Sequence, residues 1–237
     1  PQAQHLQMVE AASRVVGWLP ERVDMQHVAF GNVLGSDKKM LKSRSGDSVK
    51  LSALLDEAVE RATLAVREKN PSLSPDEQAE VARMIGIGAV KYADLSTDRV
   101  KDYIFDWDRM LSFDGNTAPY LQYAHARICS IFRRANIDRA SLDSSQLQVA
   151  EPQEKALALV LLQFDSAVWD ALEKASPHRL CTYLYEVATT FTGFYENCPV
   201  LKSDEPVRTA RLVLCDATAR VLRVGLGLLG IETPETM

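Results

Sequence analysis

Apolar residues recur along most of this chain at the three-to-four-residue spacing of an amphipathic helix. Gln4 to Gly17 reads as a helix with Leu6, Val9, Val15 and Val16 as its apolar positions and Gly17 as its stop. Val23 to Leu34 alternates imperfectly and is β-branched in places, which predicts one or two strands. A long helix follows, with Ser52 as N-cap and Leu54, Leu55, Ala58, Ala62, Ala65 and Val66 as its stripe. Asn70-Pro71 ends it, because proline disfavours helical geometry in the residue before it.

Ser74-Pro75-Asp76-Glu77 combines an N-cap, a proline at the first position and acids over the positive end of the dipole. The helix it opens runs to about Tyr92. Gly86 and Gly88 inside it predict a close backbone contact, since mid-helix glycine costs roughly 1 kcal/mol. Asp102 to Phe113 reads as a short strand turning into a helix, and Phe113-Asp114-Gly115-Asn116 as a turn. Beyond it every element is helical: one from Asn116 or Thr117 to Arg134, one from Pro152 to Lys174, one from Pro177 to Asn197 and one from Glu205 to Gly230. The polar stretch from Asn136 to Glu151 is the best linker. The chain is therefore expected to be mainly α, dividing into a mixed part (1–112) and an all-helical bundle (113–237).

Composition changes this picture little. The 237 residues are 46% hydrophobic and 25% charged, an ordinary soluble mixture, and no apolar run approaches the roughly 18 residues that cross a bilayer. The four cysteines show no Cys-x-x-Cys spacing, so reduced core thiols in a cytoplasmic protein are expected. The four histidines form no i, i+4 pair, and no metal site is expected. The N-terminus is no signal peptide and lacks an initiator Met, which points to a piece of a longer protein. The net charge of −5 argues against a general nucleic-acid binder, so any RNA contact must come from a local patch.

Two stretches carry candidate chemistry. Gly35 to Asp47 holds Lys38, Lys39, Lys42 and Arg44 among glycines and serines. It is either a solvated basic turn or a bendable loop whose cations converge on a polyanion such as triphosphate. On the helix after Asn116, Tyr120, Tyr123 and Arg127 fall at i, i+3, i+7, hence on one face. That face is either the amphipathic edge of a core or a platform for unstacked RNA bases. A third stretch, Gly225-x-Gly227-x-x-Gly230, has the letters of a dinucleotide fingerprint but ends a helix instead of joining a strand to one. Packing and a helix stop explain it better.

Lys39-Met40-Leu41-Lys42-Ser43 resembles the Lys-Met-Ser-Lys-Ser signature of class I aminoacyl-tRNA synthetases, with Leu41 replacing the first serine. Gly88 to Ser96, Asp102 to Leu111, Asn116 to Tyr120, Arg179 to Glu186 and Leu228 to Met237 resemble arginyl-tRNA synthetases in the same order. The resemblance implies a remnant of a class I Rossmann catalytic domain followed by a DALR-type anticodon-binding bundle. It implies an arginine–tRNA ligase that, at full length, uses ATP and Mg2+ to join arginine to tRNA(Arg) in protein biosynthesis, as a cytoplasmic monomer. By that likeness Lys39 and Lys42 are catalytic, and Lys39, Met40, Lys42 and Ser43 hold ATP. Gln2, in a Gln-x-x-His segment with His5, lies near arginine. Tyr120, Tyr123, Arg127, Tyr195 and Met237 hold the anticodon loop. Pro199 stands near a position where some relatives have an aromatic. The partner signature, His-Ile-Gly-His, is not in this sequence. The chain alone is therefore expected to be inactive, with the adenine-binding half upstream. The alternative from another class is a non-catalytic helical interaction module.

Overall fold

The computed structural model describes residues 2–35, 37–39 and 50–237, with only the backbone of Gln146. The N-terminal part begins with α1 (Gln2–Val15). The chain leaves it at Gly17, whose φ of +76° a side chain would resist. The Arg14 guanidinium pairs with Glu10 one turn back and donates to the Pro20 and Val23 carbonyls, tying the exit to the helix. The helical spacing is as expected, but α1 has no buried residue, and Val9, Val15 and Val16 are exposed.

Of the strand expected over Val23–Leu34, only β1 (Val33–Leu34) pairs, in parallel with β2 (Tyr103–Ile104). Upstream of it the chain meets a loop, so side chains and single bonds replace a ladder. Gly31 N–H donates to Arg99 O, and Asn32 N–H to the Asp102 carboxylate. A Cβ at Gly31 would collide with the Lys101 carbonyl, which explains the glycine.

Helices α2 (Leu51–Lys69) and α3 (Pro75–Leu95) pack against each other through Ala58, Ala62, Val66, Val81, Ala82, Ile85 and Ala89. Lys50, not Ser52, is the N-cap of α2, and no side chain caps that end. The start of α3 is the predicted capping box: Ser74 Oγ accepts from Glu77 N–H while the Glu77 carboxylate accepts from Ser74 N–H. The expected close approach falls at Gly86, where a Cβ would lie 2.7 Å from Ala58 carbonyl atoms. A short α4 (Trp107–Met110), capped by Asp106, follows β2.

The second part is built from α5 (Ala118–Ala135), α6 (Pro152–Leu161), α7 (Phe164–Glu173), α8 (Pro177–Asn197) and α9 (Val207–Leu228) around one core that includes Leu121, Ile128, Leu157, Leu184, Phe191, Phe194 and Leu222. Tyr92 of α3 also belongs to this core. Two expectations fail here. The helix expected over Pro152–Lys174 breaks at Leu162-Gln163, where the Val160 carbonyl accepts both the Gln163 N–H and, at 3.0 Å, the buried Tyr183 hydroxyl. The break lets both halves pack on α8. The polar stretch from Asn136 to Glu151 is not a free linker. It forms two 3-10 turns, Arg139–Ser141 and Ser144–Gln146. Ile137 and Leu142 pack on the bundle, and Arg139 pairs with Asp216 of α9.

Candidate RNA interface and phosphate loop

Thr117 caps α5, its hydroxyl accepting from Tyr120 N–H, and Pro119 sits in the first turn. The apolar stripe then sets the rotation of the helix: Leu121, Ala124, Ile128, Ile131 and Phe132 turn inward. Three of the expected site residues occupy what remains. Tyr120 is a half-buried edge of the core, its ring 5.6 Å from that of Tyr185 and its hydroxyl 3.4 Å from that of Thr192. Tyr123 is 45% exposed. Arg127 lies over the Tyr195 ring at 4.3 Å, and that ring leans on Phe191 at 6.0 Å. The stack of Arg127 on Tyr195 fixes both side chains, a cation–π arrangement that leaves guanidinium N–H groups free to donate.

Met237 reaches a different neighbourhood. It packs against the α2–α3 pair beside Leu73, Leu111 and Phe113. The tail that delivers it is held by residues outside the motifs described above. Gln122 Nε2 donates to the carbonyls of Met84 and Glu232, at 3.0 and 2.7 Å. The Arg133 guanidinium donates to Glu235 O at 2.8 Å. His125 Nδ1 lies 3.1 Å from Pro234 O. A carbonyl only accepts, so Nδ1 carries the proton and Nε2, 3.8 Å from Cys129 Sγ, is the bare nitrogen. Burial pushes the His125 imidazole below its ordinary value. The signal in the sequence is polarity on an apolar face: Gln122, His125 and Cys129 recur at i, i+3, i+7 among buried positions.

At the lysine-rich stretch, Gly35 N–H donates to Lys39 O at 2.8 Å, and the Asp37 carboxylate accepts from Lys39 N–H. Lys38 takes a left-handed φ of +59°. Lys38 and Lys39 are exposed, so this turn presents two cations to solvent. Met40, Lys42 and Ser43 lie outside the described residues. Gln2 and His5 stand exposed in the first turns of α1. Among the described residues no group of three or more imidazole, thiol or carboxylate side chains could hold a metal ion, so no residue here is assigned to Mg2+. The three-glycine motif closes α9: Gly225 packs on Leu184, and Gly230, with φ +70°, turns the chain out. The four cysteines are buried free thiols.

Residues 1–107 match the family described as tRNA synthetases class I (R), catalytic domain, and residues 121–237 match the DALR anticodon binding domain. The arginine–tRNA ligases of Mannheimia succiniciproducens and Proteus mirabilis are 50% and 51% identical to the whole chain. The arginyl-tRNA synthetases of Thermus thermophilus and Plasmodium falciparum superpose on all of it with TM-scores of 0.85, at 38% and 31% identity. The chain spans 41% of the length of those two ligases and 39% and 40% of the two solved chains. Part of a class I aminoacyl-tRNA synthetase catalytic domain is thus followed by an anticodon-binding bundle. The chain belongs to the arginyl-tRNA synthetase family and aligns with the C-terminal portion of its members. The class I family implies the use of ATP.

Proposed function

We propose that this chain is the tRNA-reading part of a cytoplasmic arginine–tRNA ligase that joins arginine to tRNA(Arg) through an adenylate made from ATP. The observation that carries the reading is the outer face of α5. An exposed tyrosine, Tyr123, stands one turn from a guanidinium held over the Tyr195 ring. Bases splayed from an anticodon loop stack on such groups without needing a duplex groove. Tyr120 supports the face from below, while Met237, packed on the α2–α3 pair, would meet the RNA apart from this platform. Lys39 with Lys42 would hold the ATP phosphates, as two cations suit charge that grows during transfer. Gln2 would lie beside arginine.

The test uses the full-length enzyme. Tyr123→Ala is expected to weaken binding of a tRNA(Arg) anticodon stem-loop about ten-fold, since stacking is worth about 1–3 kcal/mol per base. Its Tm should hold, because truncating a half-exposed ring opens no core cavity. Unchanged affinity, or a large drop in Tm with normal affinity in the folded fraction, would overturn the platform. In the same series, Lys42→Ala should slow single-turnover arginine activation and leave stem-loop affinity as it is; equal activation rates would remove Lys42 from the mechanism.

A further inference from the structure

The outer stripe of α5, exposed at Tyr123 and half-buried at Arg127, does not stop at Arg127. Tyr123, Arg127, Ser130 and Arg134 follow at i, i+4, i+7 and i+11, one line along a helix. Arg134 is exposed. Past it the helix closes on Asn136, in a left-handed conformation with φ +51°. The chain then turns back on itself. Arg133, Asn136, Asp138, Arg139 and Glu235 rim an open cleft of about 570 Å3 floored by Cys129, Phe132 and Ile137.

Charge at this end of the bundle opposes that of the chain. Arg133 and Arg139 line the cleft, Arg134 stands beside it, and α9 brings up Arg220 and Arg223. Among the described residues, Asp138, Asp216 and Glu235 stand with these guanidinium groups. Asp138 is turned to its own backbone, accepting from Ala140 N–H. Asp216 is shared between Arg139 and Arg220, so one carboxylate faces two cations. Glu235 sits on the rim. Arginines in the last turn of a helix also offset its negative end, and that accounts for Arg133 and Arg134 in part. It does not account for Arg223, more than one turn before the end of α9, or for an open cleft between the end of α5, the turn after it and the tail. A net −5 protein that gathers surplus guanidinium donors around a cleft has built an anion site, and Arg–phosphate pairing is the strongest use of such a fork.

We propose that this cleft, with Arg134 on its approach, binds a backbone phosphate of the RNA whose bases stack on the outer face of α5. The inference rests on the RNA reading above and extends it. Eleven residues separate Tyr123 from Arg134, about 16 Å along the helix axis, so one strand passing over the platform reaches the cleft within a few nucleotides.

Salt dependence separates a phosphate contact from a base contact, because only the former releases counterions. The experiment titrates full-length enzyme with tRNA(Arg) transcript from about 50 to 300 mM salt, for Arg134→Gln, the double variant R134Q/R223Q and Tyr123→Ala. Arg133 and Arg139 stay, since they hold the tail and Asp216. The arginine variants should keep their Tm and flatten the slope of log K against log salt by about 1 for each phosphate no longer neutralised, with roughly ten-fold weaker binding by the double variant at low salt. Tyr123→Ala should weaken binding with the slope unchanged. A wild-type slope in the double variant overturns the phosphate site and leaves the platform standing. A flattened slope together with wild-type affinity for Tyr123→Ala supports the phosphate site and overturns the platform instead.

Discussion

At the scale of single residues, the groups that define this molecule are polar ones placed where apolar ones are expected. His125 is the sharpest case. Burial lowers its pKa from 6.5, Arg139 and Arg223 add to that, and the Pro234 carbonyl and Glu235 oppose it. The sign follows from linkage. The unfolded imidazole takes up a proton near 6.5, and the folded one resists until lower pH. The folded state is thus favoured fully above about 6.5 and progressively less as pH falls toward the folded value. We expect Tm to decline between pH 7.5 and 5.5, and His125→Asn, whose amide can still donate to Pro234 O, to flatten that decline. An unchanged pH profile in the variant would place the sensitivity elsewhere. Glu154 adds a second, more acidic window. Burial raises its pKa, but the Glu151 N–H, the Arg211 guanidinium and the Ala150 N–H outweigh that and hold it below 4.5. Its contribution is present above that value and lost below it. Caps such as Ser74 and Thr117 are legible in the sequence because their partners lie three residues away. Pro234, Asp216 and Arg211, the distant partners of His125, Arg139 and Glu154, lie 109, 77 and 57 residues away, and no local pattern points to them.

At the scale of elements, periodicity locates the helices, and tertiary contacts decide their ends. Helix α8 matches its expected span, from the proline that starts it to Asn197. Helix α6 stops short because Tyr183 offers a hydroxyl to its last carbonyls, an event on another helix. Glycine tests how well elements can be read from spacing alone. Gly86 and Gly193 both interrupt long helices. A methyl at Gly86 would meet the Ala58 backbone at 2.7 Å, where nothing flexible can yield, whereas at Gly193 it meets nothing within 4 Å. Gly86→Ala should therefore push α2 from α3 and destabilise by about 1–3 kcal/mol despite better helix propensity. Gly193→Ala should stabilise by up to about 1 kcal/mol. Denaturant melts of both variants check the pair, and a stabilised Gly86→Ala would mean that the two helices are free to separate.

At the scale of the whole molecule, the question is what makes the mixed part and the bundle one body. Tyr92 supplies one link: it is fully buried in the bundle core, and its single hydroxyl proton is shared between Asn116 Oδ1 at 2.6 Å and Cys181 O at 2.9 Å. The tail supplies the other. After Gly230, the Lys91 ammonium takes the Gly230 carbonyl, Arg83 pairs with the Glu232 carboxylate, and Gln122, His125 and Arg133 take the carbonyls of Glu232, Pro234 and Glu235. Met237 then returns to α2 and α3. The tail thus laces α3 to α5 from below while the proposed RNA face of α5 looks outward. Polar Gln122 and His125 on the apolar face of α5 mark in the sequence that a partner is held there, but nothing local names the tail, because a Pro- and Glu-containing terminus reads as a loose end. A chain ending at Ile231 should test it. Gln122 loses one of its two acceptors and His125 its carbonyl, at a cost of about 1–3 kcal/mol for each donor left buried, less where water replaces the tail. At about 2–4 °C per kcal/mol for a protein of this size, Tm should fall by roughly 5–20 °C. Met237→Ala, which keeps the lacing, should cost far less. An RNA contact made by Met237 alone predicts that both variants lose the same affinity for the stem-loop. A strap that also sets the position of α5 predicts a larger loss for the truncation, measured well below its Tm. Equal Tm for the truncated and intact chains would show that α3 and α5 hold together without it.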